Sequence, residues 1–309
     1  LNGLFVPDGQ ASPTHDPARP AGRSAMVTPS FSLDFERCRL LCETVDAHVS
    51  GMEHHYLLVE HRDVKQFRQL ESARRTVVDE RDLLPSWLHV FDDSFGSRRR
   101  RIWLSLRTLP LRGWHVQQLR RIAIASKVDV DTLVYCDSDV VFLKPFDLGA
   151  FHSPQGTRLF RRDDALLDER YATHRIWSRN AGRTLGIADV GGSPHDYITT
   201  LIAWDRATVV AMAAHIEDVH ARNWVEVIGG SRRYSECIIY GRFVDEVLGG
   251  AGHWHDSREF CRVHWTGDPL TDEAFEAFVA GMEPSQVAIG MQSFIGTDMA
   301  RIRRLAKAA

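Results

Sequence analysis

Residues 132–146 constrain this chain more than any other stretch: Thr-Leu-Val-Tyr-Cys-Asp-Ser-Asp-Val-Val-Phe-Leu-Lys-Pro-Phe. Residues 133–136 form a short apolar run with β-formers, as expected of a strand buried on both faces of a sheet. Two carboxylates, Asp137 and Asp139, follow it one residue apart. In an extended chain the side chains at i and i+2 point the same way. Both acids are therefore expected to face one point past the carboxyl end of the strand, where open α/β sheets bind ligands. Carboxylates so placed repel one another unless a proton or a cation joins them. A divalent metal held by hard oxygen ligands is the expected guest. The alternative is a solvated turn, but a second apolar run, residues 140–143, follows directly, and surface turns seldom sit between two such runs.

The order of elements around this segment points to an α/β fold. Short strands are expected at 25–27, 56–59 and 75–78. Between them lie a helix from about Asp34, with Phe35, Cys38, Cys42, Val45 and Val49 at steps of three and four, and a polar helix near 63–72. This alternation is that of a mostly parallel, doubly wound, Rossmann-like sheet with helices on both faces. Helical periodicity over 114–128 puts Trp114, Leu119, Ile122, Ala123 and Ser126 on one side. Residues 153–196 have weak periodicity and read as long loops with short helices, in the manner of a substrate lid. Residues 197–204 read as a strand, 208–220 and 235–248 as helices, and a short strand is expected near Val263. The expected organisation is a flexible Pro-containing arm over 1–24, one domain over 25–298 and a basic amphipathic helix over 299–309.

The chain has 309 residues, enough for a sizeable core, and a formal net charge of −3, which suggests no nucleic-acid partner. Its five cysteines are odd in number and include no Cys-x-x-Cys pair, so they read as reduced core residues of a cytoplasmic protein. No run approaches the roughly 18 apolar residues of a membrane span, and the N-terminus lacks the basic-then-apolar pattern of a signal peptide. Arg301, Arg303, Arg304 and Lys307 can give peripheral contact with an anionic bilayer, or the same helix can pack on the domain. The run Arg98 to Arg101, with Arg107 and Arg112, can receive an anionic acceptor or a leaving diphosphate, or simply be solvated surface.

Two further positions carry chemistry. His264 ends a short apolar strand and could complete the coordination begun by Asp137 and Asp139, tilting the metal toward Mn2+ over Mg2+. It could equally be one structural histidine among fifteen. Gly267 would let a backbone N–H approach a phosphate closely. Glu236 opens an apolar helix and is the candidate catalytic carboxylate on the acceptor side; a simple N-terminal dipole charge is the alternative.

The string Leu-Val-Tyr-Cys-Asp-Ser-Asp-Val-Val-Phe-Leu-Lys-Pro resembles the Asp-x-Asp segment of nucleotide-sugar glycosyltransferases with the GT-A fold. It is most similar to the glycogenin-type enzymes and to a related group of bacterial proteins of unassigned specificity. The likeness to that group extends over most of residues 25–267, through Val27-Thr28-Pro29-Ser30-Phe31, Arg112-Gly113-Trp114-His115-Val116-Gln117-Gln118 and Tyr234-Ser235-Glu236. His264-Trp265-Thr266-Gly267 matches the first half of a late glycogenin-type motif that supplies a metal ligand and phosphate contacts. The Lys-Pro-Trp that usually follows is replaced by Asp268-Pro269-Leu270. The resemblance implies a nucleoside-diphosphate sugar donor and a saccharide or glycolipid acceptor. It also implies a nucleotide pocket at Thr28, Pro29 and Ser30, and donor contacts from Gln118, Arg121 and Ser138.

Three other readings share parts of this pattern. Haloacid-dehalogenase-type phosphatases carry a similar strand, but there the motif opens the domain. Nucleotidyl transfer usually wants a Gly-rich basic loop after the first strand, which Thr28 to Ser32 lacks. A non-catalytic sugar- or nucleotide-binding domain is the third.

Overall fold

The computed structural model describes residues 22–92 and 101–306. Most of the expected N-terminal arm, Arg98 to Arg100 and Lys307 lie outside the described residues. Along the chain run β1 (Ser24–Pro29), α1 (Phe35–His48), β2 (Met52–Val59), β3 (Arg75–Asp79), α2 (Gly113–Ala123), β4 (Thr132–Tyr135) and β5 (Val140–Phe142). They are followed by α3 (Ala172–Thr184), β6 (Ile202–Asp205), α4 (Arg206–His220), α5 (Glu236–Arg242), β7 (Cys261–His264), α6 (Asp272–Ala280), β8 (Ala288–Met291) and α7 (Met299–Ala306).

The main sheet has the order β6-β4-β1-β2-β3, parallel throughout except for β6, which runs antiparallel to β4 at one edge. Strand alternation assigns each side chain to a face. Ala25, Val27, Leu133, Tyr135, Ile202 and Trp204 pack on one side with residues of α2, α4 and α5. Met26, Val134, Cys136 and Ala203 pack on the other with Leu41 and Val45 of α1. Both faces are thus covered, which is why β4 is buried at every position. All five cysteines are free and buried.

A second sheet, β7-β8-β5, adjoins the first; β7 and β8 are parallel and β5 is antiparallel to β8. The Asp-Ser-Asp segment is the link between β4 of one sheet and β5 of the other. Its two apolar flanks are strands of two different sheets.

Some expected elements differ. The strand expected over 197–204 is confined to β6, because the chain turns at Leu201, whose φ of +63° is left-handed and incompatible with a strand. The polar helix near 63–72 is a series of short turns, His61–Asp63, Val64–Phe67 and Arg68–Leu70. The expected lid contains a regular 13-residue helix, α3. The C-terminal helix packs on the domain: Ile302 is buried, Arg303 pairs with Glu43, and Arg301 and Arg304 pair with Asp272. No helix among the described residues is long and apolar enough to cross a membrane.

Candidate functional site

Strand order places a topological switch point between β1 and β4, since the chain winds outward from β1 in both directions. Ligands of open α/β sheets bind beyond the carboxyl ends of the strands at that point. Here the edge carries Pro29 at the end of β1 and Ser30 after it, and Asp137, Ser138 and Asp139 after β4. Thr199 and Thr200 stand before the antiparallel β6. All of them line one cleft of about 1150 Å³.

The two acids do not sit on an extended strand. They form a turn, in which the Val140 N–H donates to the Asp137 carbonyl at 3.3 Å. Both still line the cleft, but in different surroundings. Asp137 accepts a hydrogen bond from the Arg121 guanidinium. Asp139 is buried and accepts from the Ser293 N–H at 3.1 Å. Burial, reinforced by repulsion from Asp137 and Asp34, pushes the Asp139 carboxyl up to about 7.

Arg121 organises the floor of the cleft. It lies on α2, and its guanidinium also donates to Glu236 at 2.8 Å. Burial works against its charge, yet Asp137 and Glu236 more than offset this and hold it firmly protonated. Burial likewise raises the Glu236 carboxyl above its ordinary range, with Arg121 pulling the other way. One turn earlier on α2, Gln118 accepts the Glu236 backbone N–H through Oε1 at 3.0 Å. The start of α5 is therefore capped by Gln118, and no side-chain cap comes from Ser235.

Of the residues expected from the sequence, Pro29, Ser30, Gln118, Arg121, Asp137, Ser138, Asp139 and Glu236 come together around this cleft. Thr28, His264 and Gly267 do not line it. Thr28 is wholly buried, and its hydroxyl is engaged by His55 Nε2 at 2.9 Å. Thr28 is thus held inside the sheet against His55, away from the cleft.

His264 ends β7 and contacts the Asp268 carbonyl through Nε2 at 3.0 Å. Strand β8 stands between β7 and β5, so His264 is two strands, roughly 10 Å, from the strand that follows the acids. The expected three-ligand set is not assembled. Gly267 is exposed with φ +112° and serves the turn after His264.

Several lining residues were not expected. Asp34, which precedes α1, is raised by burial and lies 3.9 Å from Arg37. Arg37 donates to the Thr297 carbonyl at 3.1 Å. Trp114, His174 and Trp177 form an aromatic wall, and Trp265 lies at the cleft although its neighbour His264 does not. The helical period at Trp114 reads as core, yet the residue is 46% exposed. Its position in the first turn of α2, beside Arg112 and Gly113, was the available signal.

Among the described residues no three His, Cys, Asp or Glu side chains come together as a metal-holding group. The donors present do not make a complete protein cage. They do fit a hard divalent cation that arrives with phosphates, since Mg2+ and similar ions are commonly held by one or two carboxylates plus the substrate's own oxygens. The desolvated Asp139, repelled by two neighbouring carboxylates, is where such a cation would relieve most charge.

Fold and site together define an α/β protein with a cleft of about 1150 Å³ at the switch point of its sheet, floored by acids and a buried arginine. The chain belongs to a family of unknown function, DUF6492, which matches residues 27–281. No curated protein sequence matches it significantly.

Proposed function

We propose that the protein is a metal-dependent glycosyltransferase of GT-A type, moving a sugar from a nucleoside-diphosphate sugar to a hydroxyl of a saccharide or glycolipid. The carrying observation is the Asp137-Ser138-Asp139 turn at the switch point. Its buried second acid lies in a cleft somewhat larger than the usual range of small-molecule sites, with room for a donor and an acceptor.

Asp137 and Asp139 would hold Mn2+ or Mg2+ against the donor's two phosphates. The bound metal supplies charge neutralisation at the leaving diphosphate. Pro29 and Ser30 would border the nucleoside end, and Ser138, which lines the same cleft, would offer its hydroxyl to the ribose. Arg121 fixes Asp137 and Glu236 relative to one another, with Gln118 holding the Glu236 backbone. Glu236, its carboxyl raised by burial, would accept the acceptor's proton in an inverting transfer or position substrate in a retaining one. The buried free cysteines suit a cytoplasmic setting.

A second reading is binding without turnover. It is favoured by one observation, that Arg121 already engages Asp137. Thermal unfolding with UDP, GDP and CDP, each with MnCl2 and then with excess chelator, tests the donor site. Stabilisation by one nucleotide that chelation abolishes supports it; no stabilisation by any of them removes it. Release of nucleoside diphosphate from the matching nucleotide sugar then separates turnover from binding alone.

A further inference from the structure

The wall of the cleft on the Glu236 side is an aromatic stack built into two helices. Trp114, in the first turn of α2, lies 5.5 Å from Trp177 of α3, with their planes 35° apart. One turn earlier on α3, His174 stacks on Trp177 at 5.0 Å and 18°. The stack is pinned from behind, since His174 Nδ1 bonds Asp196 at 3.0 Å and Asp196, wholly buried, also holds Arg162. It is pinned from the side as well. Tyr234, two residues before Glu236, lies 6.3 Å from Trp114 and donates its hydroxyl to the His115 carbonyl at 3.0 Å.

A rigid stack whose end ring is nearly half exposed inside a polar cleft is a poor core and a good contact surface. Its surroundings narrow the guest. Gln117, Thr199, Thr200 and Ser235 line the same cleft and offer uncharged hydrogen-bonding groups. A pyranose ring has an apolar face of C–H groups and a rim of hydroxyls. It therefore needs a flat aromatic surface beneath it and uncharged donors and acceptors beside it. A lipid chain would leave those polar groups unpaired, and a phosphate would have no use for the rings.

We infer that Trp114, backed by Trp177 and His174, is the platform on which a hexopyranose ring of the acceptor stacks. The acceptor is then a saccharide or the sugar end of a glycan. That this sugar is the acceptor rests on the transferase reading above; the sugar platform itself does not.

The test uses the full chain and two variants, Trp114→Ala and Trp114→Phe. Saturation-transfer NMR with methyl glucoside, galactoside and mannoside, and with their 1,4-linked disaccharides, reads sugar contact. Calorimetry with UDP, GDP and CDP in MnCl2 reads the donor site. Ring C–H protons of at least one sugar should show transfer in the wild type. The sugar's affinity should fall by about tenfold in Trp114→Ala and be largely kept in Trp114→Phe, with nucleotide affinity within about twofold throughout.

No sugar signal in the wild type, or one that Trp114→Ala leaves intact, overturns the platform. So does loss of nucleotide affinity in Trp114→Ala without loss of sugar contact, which would mean that the ring stacks the base. The two readings fail separately. Nucleotide binding without sugar contact removes the platform alone, whereas Trp114-dependent sugar contact without nucleotide binding removes the transferase and leaves a saccharide site.

Discussion

Arg121 donates to Glu236 at 2.8 Å, joining residues 115 positions apart, with both side chains almost wholly out of water. The same guanidinium engages Asp137, so one buried cation serves an acid after β4 and an acid at the start of α5. Removing the cation would leave the Glu236 carboxylate desolvated and unpaired, with a half-buried Asp137 close by. Breaking a buried pair from one side costs far more than the pair's net worth.

Arg121→Ala should therefore destabilise the protein by about 3–5 kcal/mol. Urea denaturation checks the magnitude. Pairing it with Glu236→Gln should recover part of the loss, because the second change neutralises the stranded acid. A strictly additive double variant, or a loss below about 1 kcal/mol for Arg121→Ala, would mean that the carboxylates find other partners or water.

Asp139→Asn is predicted to act in opposite directions on stability and ligand response. The folded carboxyl is raised to about 7, so its ionised form is the costly one; that cost accumulates as pH rises from the ordinary carboxylate range of the unfolded chain to about 7 and is complete above it. Near pH 8, in chelator, the neutral amide should stabilise the fold by about 1–3 kcal/mol. It should also abolish any Mn2+-dependent stabilisation by nucleoside diphosphates. Thermal unfolding with and without MnCl2 reads both effects. A destabilised variant that keeps the manganese response would contradict both parts.

His55 makes an acid-side prediction independent of the Asp pair. Arg75 Nε–H can only donate, so His55 Nδ1 must accept it at 3.2 Å, and the proton on Nε2 is left to donate to Thr28. Burial, aided by the Arg75 charge, lowers the imidazole to about 3. The unfolded chain takes up this proton first, so stability falls as pH drops below about 6.5 and the loss levels off near 3. The contribution is roughly 4–5 kcal/mol over that window. His55→Gln should cost stability at neutral pH but flatten the slope between pH 6.5 and 4. Denaturation curves at four pH values compare the slopes; parallel curves would show that His55 does not titrate with folding.

The local parts of this architecture were readable from sequence because periodicity reports them directly. The apolar run of β4, the helical steps from Phe35 to Val45 and the alternation of strands and helices each follow from short-range pattern. Pattern failed where distant chain segments decide. Leu201 interrupts an apolar run that reads as one continuous strand. His264 reads from sequence as a partner of the acids, and short-range pattern does not reveal that β8 stands between β7 and β5. Gln118 and Arg121 could be put on one helix face, but their joint hold on Glu236 depends on a segment more than 110 residues away. Trp114 obeys the helical period of a core residue and yet faces the cleft, since period gives direction around a helix without saying what lies opposite.

Gly241 supplies the last prediction, because it sets how deeply α5 and its Glu236 can seat. A Cβ on Gly241 would lie 2.2 Å from atoms of the Tyr197 ring. The ring cannot swing aside readily, being wholly buried with its hydroxyl bonded to Asp245 at 2.7 Å. Gly241→Ala must therefore displace α5 or Tyr197, at an expected cost of about 2–3 kcal/mol. A shifted α5 would also loosen the Glu236–Arg121 contact, so nucleotide-dependent stabilisation should weaken together with the melting temperature. Gly113→Ala is the matched control, since an added Cβ there meets nothing within 4 Å at the start of α2. It should be neutral or gain a few tenths of a kcal/mol through helix propensity. If both alanines prove equally harmless, α5 is not seated against Tyr197 as tightly as the contact implies, and Glu236 is positioned by Arg121 and Gln118 alone.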